Sequence, residues 1–234
     1  MKKQTLLYLI PTALGDNDHP HETLVSILPS IEVFICERIR TTRRWLRSIN
    51  PDFDIDNRIF VEYNKHDKSF PWQSIYEHWE NGKVCGLTSE AGTPAIADPG
   101  YGVVYEAHLR NVPVIPLPGN NSIILALMAS GFNGNKFSFN GYFPIDNKVF
   151  NSEIKKAIKE TEKGYTQIYI ETPYRNVKTL NKLLNSCPGE FKISISSDLF
   201  NNNNTSKTRS VNEWKKVDKT YLDKIPAIFI LGTS

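Results

Sequence analysis

The sequence predicts an α/β protein of two domains, each a mostly parallel or mixed sheet with flanking helices. Two observations predict it. Short branched apolar runs, bounded by Pro, Gly or charge, alternate with longer stretches of helical period, the pattern of strands joined by crossover helices. The theme then repeats beyond Pro116–Asn121 (Pro-Leu-Pro-Gly-Asn-Asn), whose composition marks a hinge, so domains are expected at 1–117 and 118–234.

In the first half, Leu6–Pro11 reads as a buried strand closed by its proline. Ile31–Cys36, Lys83–Thr88 and Val112–Leu117 read the same way. Between them, Glu22–Leu28, Thr42–Ile49, Trp72–Trp79 and Tyr101–Arg110 have helical spacing. In the second half, Phe137–Tyr142, Gln167–Glu171, Lys192–Ile195 and Ala227–Leu231 are expected strands. Ser122–Ser130, Ser152–Lys163 and Asn176–Leu184 are expected helices, and the Asn201–Asn204 run with its Thr/Ser/Lys surroundings reads as a polar loop. No internal repeat is visible.

Composition narrows the class. With 234 residues, 40% hydrophobic and 23% charged, the chain is neither disordered nor fibrous and can bury a sizeable core. Cys36, Cys85 and Cys187 are too scattered for a disulfide framework or a zinc site, which fits a reducing compartment. The apolar stretch Leu6–Ala13 is broken by Pro11 and lacks a clear cleavage site, so a strand is expected there and not a signal peptide. Ile123–Ala129, the longest later apolar run, falls far short of the ~20 residues a membrane span needs. A soluble, cytoplasmic protein without membrane contact is expected. The net charge of +3 permits a polyanionic partner without requiring one.

Three Gly/Pro loops follow predicted strands, where open α/β sheets bind ligands. They are Pro11–Asp18, Ser89–Gly100 and Pro116–Ser122. None carries a dinucleotide or P-loop glycine pattern. Glycine permits close ligand approach and proline stiffens the loop, so three such loops in succession point to binding.

These segments resemble a known family. Ser89-Glu-Ala-Gly-Thr-Pro-Ala-Ile-Ala-Asp-Pro-Gly100 resembles the SDAGTPGISDPG signature of the 16S rRNA (cytidine-2′-O)-methyltransferase branch of the tetrapyrrole methylase superfamily. Leu7–Thr12 looks like that branch's first strand and turn, and Glu37 with Arg40–Arg44 resembles its EDTRTTRR. Pro118–Gly131 resembles PGPSAVITALSASG, Phe139–Pro144 resembles FEGFLP, and Tyr169–Arg175 resembles YESPHR. Six motifs in order cover the chain from about Leu6 to Arg175.

The resemblance implies two α/β domains with S-adenosylmethionine in the cleft between them, usually in a homodimer, and ribosomal RNA or the small ribosomal subunit as partner. It assigns the cofactor to Pro11, Ser89, Glu90, Ala91, Gly92, Thr93, Pro94, Ala97 and Asp98, with Pro118, Gly119 and Ser122. From the second half it adds Phe143, Pro144, Glu171, Thr172 and Pro173.

A ribose hydroxyl is a poor nucleophile, so methyl transfer to it gains from a base. Glu37, at the tip of its strand, is the candidate catalytic residue; an ordinary salt bridge to Arg40 or Arg43 is the alternative. Asp16 and Asp18 are the alternative bases, although such Asn/Asp clusters most often build turns, and Glu90 and Asp98 are read as holding loop amides. His19 and His21 form an HxH pair with no further ligand cluster, so no metal is expected and a helix start or surface role is preferred. Arg40, Arg43, Arg44 and Arg47 recur at helical spacing opposite Trp45, Leu46 and Ile49, with no acid between them. That face is read as an RNA-backbone contact. Arg175 is read as capping a carbonyl at the domain interface, with an RNA contact as the alternative.

Two departures bear on the acceptor. The family's Asp-Thr after the glutamate is Arg38-Ile39 here, and its RELTK stretch corresponds to Ser197–Asn201. Two other readings remain: methylation of a tetrapyrrole or other small molecule, and a non-catalytic module that binds cofactor or RNA. An unrelated α/β enzyme with a sugar-phosphate ligand is disfavoured by the six motifs.

Overall fold

The computed structural model describes residues 5–63 and 70–233. The chain divides into two compact units, Met1–Asn121 and Ser122–Ser234. The whole Pro116–Asn121 stretch falls in the first unit. Asn120 donates to Asp18 Oδ1 at 2.6 Å and Asn121 to Thr93 Oγ1 at 2.5 Å, which tie it to the loops of that unit.

The first unit carries β1 (Leu6–Ile10), β2 (Val33–Cys36), β3 (Ile59–Glu62), β4 (Val84–Thr88) and β5 (Val114–Pro116). They form one sheet in the order β3-β2-β4-β1-β5, every pairing parallel. Parallel neighbours need crossover helices, and these cover both faces. α3 (Trp72–Glu80) and α4 (Tyr101–Leu109) bury Ile75, Trp79, Val103 and Ala107 against Leu7, Val33, Ile35 and Leu87. α1 (Glu22–Ile27) and α2 (Ile39–Ile49) bury Leu24 and Leu46 against Ile10, Phe34 and Val84 on the opposite face. The alternation within each strand sets these two sides apart.

The second unit carries β6 (Phe137–Tyr142), β7 (Thr166–Glu171), β8 (Lys192–Ser197), β9 (Thr205–Ser210) and β10 (Ala227–Gly232). Its sheet is mixed: order β6-β7-β10-β8-β9, with β6·β7 parallel and the other pairings antiparallel. α5 (Ser122–Ser130) covers one face through Ile123, Ala126 and Leu127. α6 (Asn147–Glu162), α7 (Asn176–Ser186) and α8 (Val211–Lys215) cover the other. The expected fold class, two α/β halves with a parallel or mixed sheet and flanking helices, is what the chain adopts.

Among the described residues, two strands and an α-helix are added to those expected, and two helices start earlier. β3 was not anticipated, and neither was β9, which occupies the Thr/Ser/Lys surroundings of the Asn201–Asn204 run. That segment is therefore not a loop beyond Asn204: its residues 205–210 pair along the whole of β8. α8 begins at a capping box in which Ser210 and Glu213 satisfy each other's backbone N–H groups. α2 starts at Ile39 instead of Thr42, because Glu62 at the end of β3 accepts from the Ile39 N–H at 2.9 Å. α6 starts at Asn147, capped by Asp146, which accepts from Lys148 and Val149. Among the described residues, no helix is long and apolar enough to cross a membrane.

Candidate active site

The strand order of the first sheet places β4, β1 and β5 side by side. All run in the same direction, so the three Gly/Pro loops leave its C-terminal edge as neighbours. Thr12 and Gly92 exchange backbone hydrogen bonds at 2.9 and 3.1 Å, joining the β1 and β4 loops. Ser89 Oγ donates to the Gly92 carbonyl at 2.9 Å. Gly119, in the β5 loop, lies flat on Pro11, and a Cβ there would collide with that ring. Pro11, Ser89, Gly92, Thr93, Pro118 and Gly119 are thus brought together in one block.

Within the Ser89–Gly100 loop the backbone is strained. Ala95 and Ala97 have φ of 65° and 63°, the left-handed region, where an L-residue with a Cβ costs of order 1–3 kcal/mol. Asp98 braces the loop around them: its Oδ1 accepts from the Ala95 N–H at 3.0 Å and the Gly100 N–H at 2.6 Å. Gly92, with φ of 76°, makes the turn at which the loop meets β1. Glu90, Ala91 and Ala97 are exposed, while Gly92 and Pro94 are buried. At the root of this loop, Thr88 Oγ1 is buried without a hydrogen-bond partner among the described residues.

Two adjoining cavities open beside these loops. The larger, about 550 Å³, lies between Gly15 and Asp16 of the β1 loop, Ser89 and Glu90 of the β4 loop, and Thr41 and Arg44 of α2. The smaller, about 210 Å³, lies between the β1–α1 segment and Pro118–Asn120. Thr12, Ala13 and Trp45 line both.

Glu37 is half-buried in the bend between β2 and α2. The buried Tyr63 hydroxyl is pushed up in pKa first by burial, then by the carboxylates of Asp98, Glu37 and Glu90. Burial likewise lifts the Cys36 thiol to about 11, and Glu62, Glu90 and Glu37 add to the rise. These carboxylates, from the β2–α2 bend, the end of β3 and the β4 loop, therefore share one electrostatic neighbourhood at the edge of the sheet.

The arginine face needs one correction. The sequence shows no acid between Arg40 and Arg47, but the fold brings one in from beyond the helix. Asp56 pairs with Arg43 at 2.6 Å and lies 3.9 Å from Arg47. Arg43 also sits over the Phe60 ring. Arg40 and Arg44 are exposed, and Arg44 alone of the four lines the larger cavity. Arg38, at the N-cap of α2, carries the wrong charge for a helix N-terminus, and Glu62 supplies the acceptor there.

His21 caps α1 through Nδ1, which accepts from the Thr23 N–H at 3.2 Å. Among the described residues, no three His, Cys, Asp or Glu side chains gather as metal ligands.

In the second unit, Phe143 is a core residue stacked on Tyr169 with ring centroids 4.3 Å apart. The Glu171 side chain is fully buried and engaged. Its Oε1 accepts from the Thr172 N–H at 2.7 Å, and its Oε2 accepts from the Thr179 hydroxyl at 2.7 Å and meets Arg175 at 2.9 Å. Arg175 also donates to the Phe143 carbonyl at 3.2 Å. Pro144 and Pro173 are half-buried and Thr172 is exposed. Formal charge is divided unevenly. Residues 122–234 hold 16 Lys and Arg against 10 Asp and Glu, net +6, whereas residues 1–121 hold 12 against 15, net −3.

The fold is that of the tetrapyrrole methyltransferases. The crystal structure of the methyltransferase CobJ matches all of this chain and 95% of its own, with a TM-score of 0.64 and 12% identity. The cobalt precorrin-4 methyltransferase CbiF matches 97% of this chain and 94% of its own, with a TM-score of 0.63 and 13% identity. In sequence the chain is a relative of proteins named ribosomal RNA small subunit methyltransferase I. That of Vibrio cholerae is 30% identical over 83% of this chain and 65% of the relative. That of Buchnera aphidicola from Schizaphis graminum is 26% identical over 99% and 79%, and that of Halalkalibacterium halodurans 32% over 76% and 59%. The chain thus spans less than two thirds of the length of the V. cholerae and H. halodurans relatives. No family model matches it.

Proposed function

We propose that the chain is an S-adenosylmethionine-dependent methyltransferase acting on a ribose 2′-hydroxyl of 16S ribosomal RNA. One observation carries the reading: three interlocked loops at the ends of β4, β1 and β5 adjoin a cavity whose other wall is the arginine-bearing α2. The names of its sequence relatives agree with it.

The residues present fit the cofactor. The Ser89–Gly100 loop holds strained backbone at Ala95 and Ala97, and the Thr88 hydroxyl at its root lacks a partner among the described residues. Both features suit a loop preformed for a polar ligand. Ser89–Asp98 with Pro11, Pro118, Gly119 and Ser122 are the residues that would hold it. Phe143, Pro144, Glu171, Thr172 and Pro173 are assigned to it by resemblance; Phe143 and Glu171, with side chains already engaged, would act through their backbones. When bound, the cofactor supplies an electrophilic methyl group on a sulfonium.

The chain's own part is alignment and charge. Arg44, with Arg40 beside it, holds RNA phosphate at the mouth of the larger cavity. The hydroxyls of Thr12, Thr41 and Ser89 offer partners for a ribose. Glu37 takes the proton of the attacking hydroxyl. The positive excess of the second unit adds attraction for a polyanion. A cytoplasmic homodimer belongs to the same proposal.

The test is transfer of labelled methyl from S-adenosylmethionine to small ribosomal subunits lacking ribose methylation. Label that resists base hydrolysis at one nucleotide is expected. Absence of label with folded protein would remove the rRNA reading.

A further inference from the structure

β3 ends at Glu62, but the chain keeps its course for one residue more: the Tyr63 N–H donates to the Cys36 carbonyl at 2.9 Å. Tyr63 therefore follows Val61 onto the face covered by α3 and α4, where both are buried. β2 separates β3 from β4, so the tyrosine starts about 9–10 Å from β4, two strand spacings away. Its side chain crosses that gap. The hydroxyl donates to the carbonyl of Thr88, the last residue of β4, at 3.4 Å.

The same oxygen also meets the far end of the loop. A Cβ placed on Gly100, the N-cap of α4, would lie 3.3 Å from it and 2.8 Å from Asp98 Oδ1. Thr88 precedes the Ser89–Gly100 loop and Gly100 closes it, so one buried hydroxyl touches both ends. Burial and the neighbouring carboxylates push its pKa up, so it stays protonated and able to donate. The ring is held as firmly. It stacks on Phe70 at 5.5 Å, Phe70 on Trp72 at 4.0 Å, and Trp72 on Tyr76 at 5.9 Å. Trp72 in turn lies beside Gly102, in the first turn of α4. A loop fixed at both ends in this way loses less entropy when a ligand orders it.

We infer that Tyr63 is a positioning residue for the cofactor: its hydroxyl, set between Thr88 and Gly100, fixes the separation of the loop's two ends. It acts through the loop and is not among the residues that would hold the ligand. The inference rests on the cofactor reading above.

Tyr63→Phe removes the hydroxyl and keeps the ring with its stack. By calorimetry, its Kd for S-adenosylmethionine should rise about three- to tenfold. Its kcat at saturating cofactor should stay within about twofold, because the loss is one of cofactor binding. In the chain without cofactor, the Ala95 and Gly100 amides should exchange hydrogen about three- to tenfold faster, through local opening of the loop. Ile75→Val trims the same core in α3. It should lower the melting temperature and leave the Kd and both amides unchanged. An unchanged Kd or unchanged loop exchange in Tyr63→Phe would overturn the inference. Equal changes in Ile75→Val would also overturn it, reducing Tyr63 to general core packing. Faster loop exchange in Tyr63→Phe, with no S-adenosylmethionine bound by the unaltered chain, removes the cofactor reading alone.

Discussion

Gly119 lies directly on Pro11, with no room between them for a Cβ. A glycine at the end of β5 is thereby fitted to a proline at the end of β1, and two of the three loops keep their spacing because one residue has no side chain. Gly119→Ala should push the loops apart at an overpacking cost of about 1–3 kcal/mol. Affinity for S-adenosylmethionine should fall at least about tenfold, since each 1.4 kcal/mol is a factor of ten. Thermal melting and calorimetry read the two effects separately; unchanged affinity in the destabilised variant would detach these loops from the cofactor.

Arg44 and Arg43 should behave differently, although they are adjacent. Arg44 faces the larger cavity, whereas Arg43 pairs with Asp56 and covers Phe60. Arg44→Ala should lower the slope of log affinity against log salt for single-stranded RNA by about 0.7, the release expected for one phosphate. Arg43→Ala should change the slope less and stability more. Equal slopes for both variants would mean that the cavity does not admit the RNA backbone.

Glu171→Gln should be costly for stability. Its carboxylate is buried and paired with Arg175, whose side chain keeps 27% exposure, so the charge left behind is partly hydrated and the loss should be about 1–3 kcal/mol. Chemical denaturation should show the loss, and Arg175→Met paired with Glu171→Gln should recover part of it. A variant as stable as the unaltered chain would show that the Thr172 and Thr179 hydrogen bonds suffice without charge.

Thiol chemistry gives a pH test. Burial raises Cys36 to about 11 and Cys85 and Cys187 to about 12. Only the thiolate reacts, so at pH 8 the folded chain should resist a soluble thiol reagent, and reaction should rise with pH toward those values. In denaturant, where the ordinary values return, all three should react at pH 8. Rapid labelling of the native chain would mean that one of the three is accessible.

The α/β class and the central strands are legible because Leu6–Ile10, Val84–Leu87 and Ala227–Leu231 carry runs without a polar side chain apart from the Tyr8 hydroxyl. β9 was not, since Thr-Ser-Lys-Thr-Arg-Ser contains no apolar residue and becomes a strand only by pairing with β8. β3 is an edge strand exposed at Ile59 and Glu62, and its Ile-Phe-Val run lies between the charges of Arg58 and Glu62. The start of α2 depends on Glu62, which is distant in sequence. The capping box of α8 is legible as Ser210 followed three residues later by Glu213.

The site divides in the same way. The loops announced themselves through Gly and Pro, but their adjacency follows from a strand order that no local pattern encodes. Asp56, the partner that tempers the arginine face, lies nine residues beyond Arg47, outside any helical-spacing argument.

β9 has a consequence for how the molecule behaves in company. It is the outermost strand of its sheet, and its hydroxyls meet β8 in the pairs Ser196–Ser206 and Ser197–Thr205. Exposed Lys207 lies along a border where a foreign strand would have to dock. A charged, hydroxylated rim discourages such growth. Replacing Lys207 and Thr208 with valines would turn this border into a template and invite the chain to polymerise edge to edge.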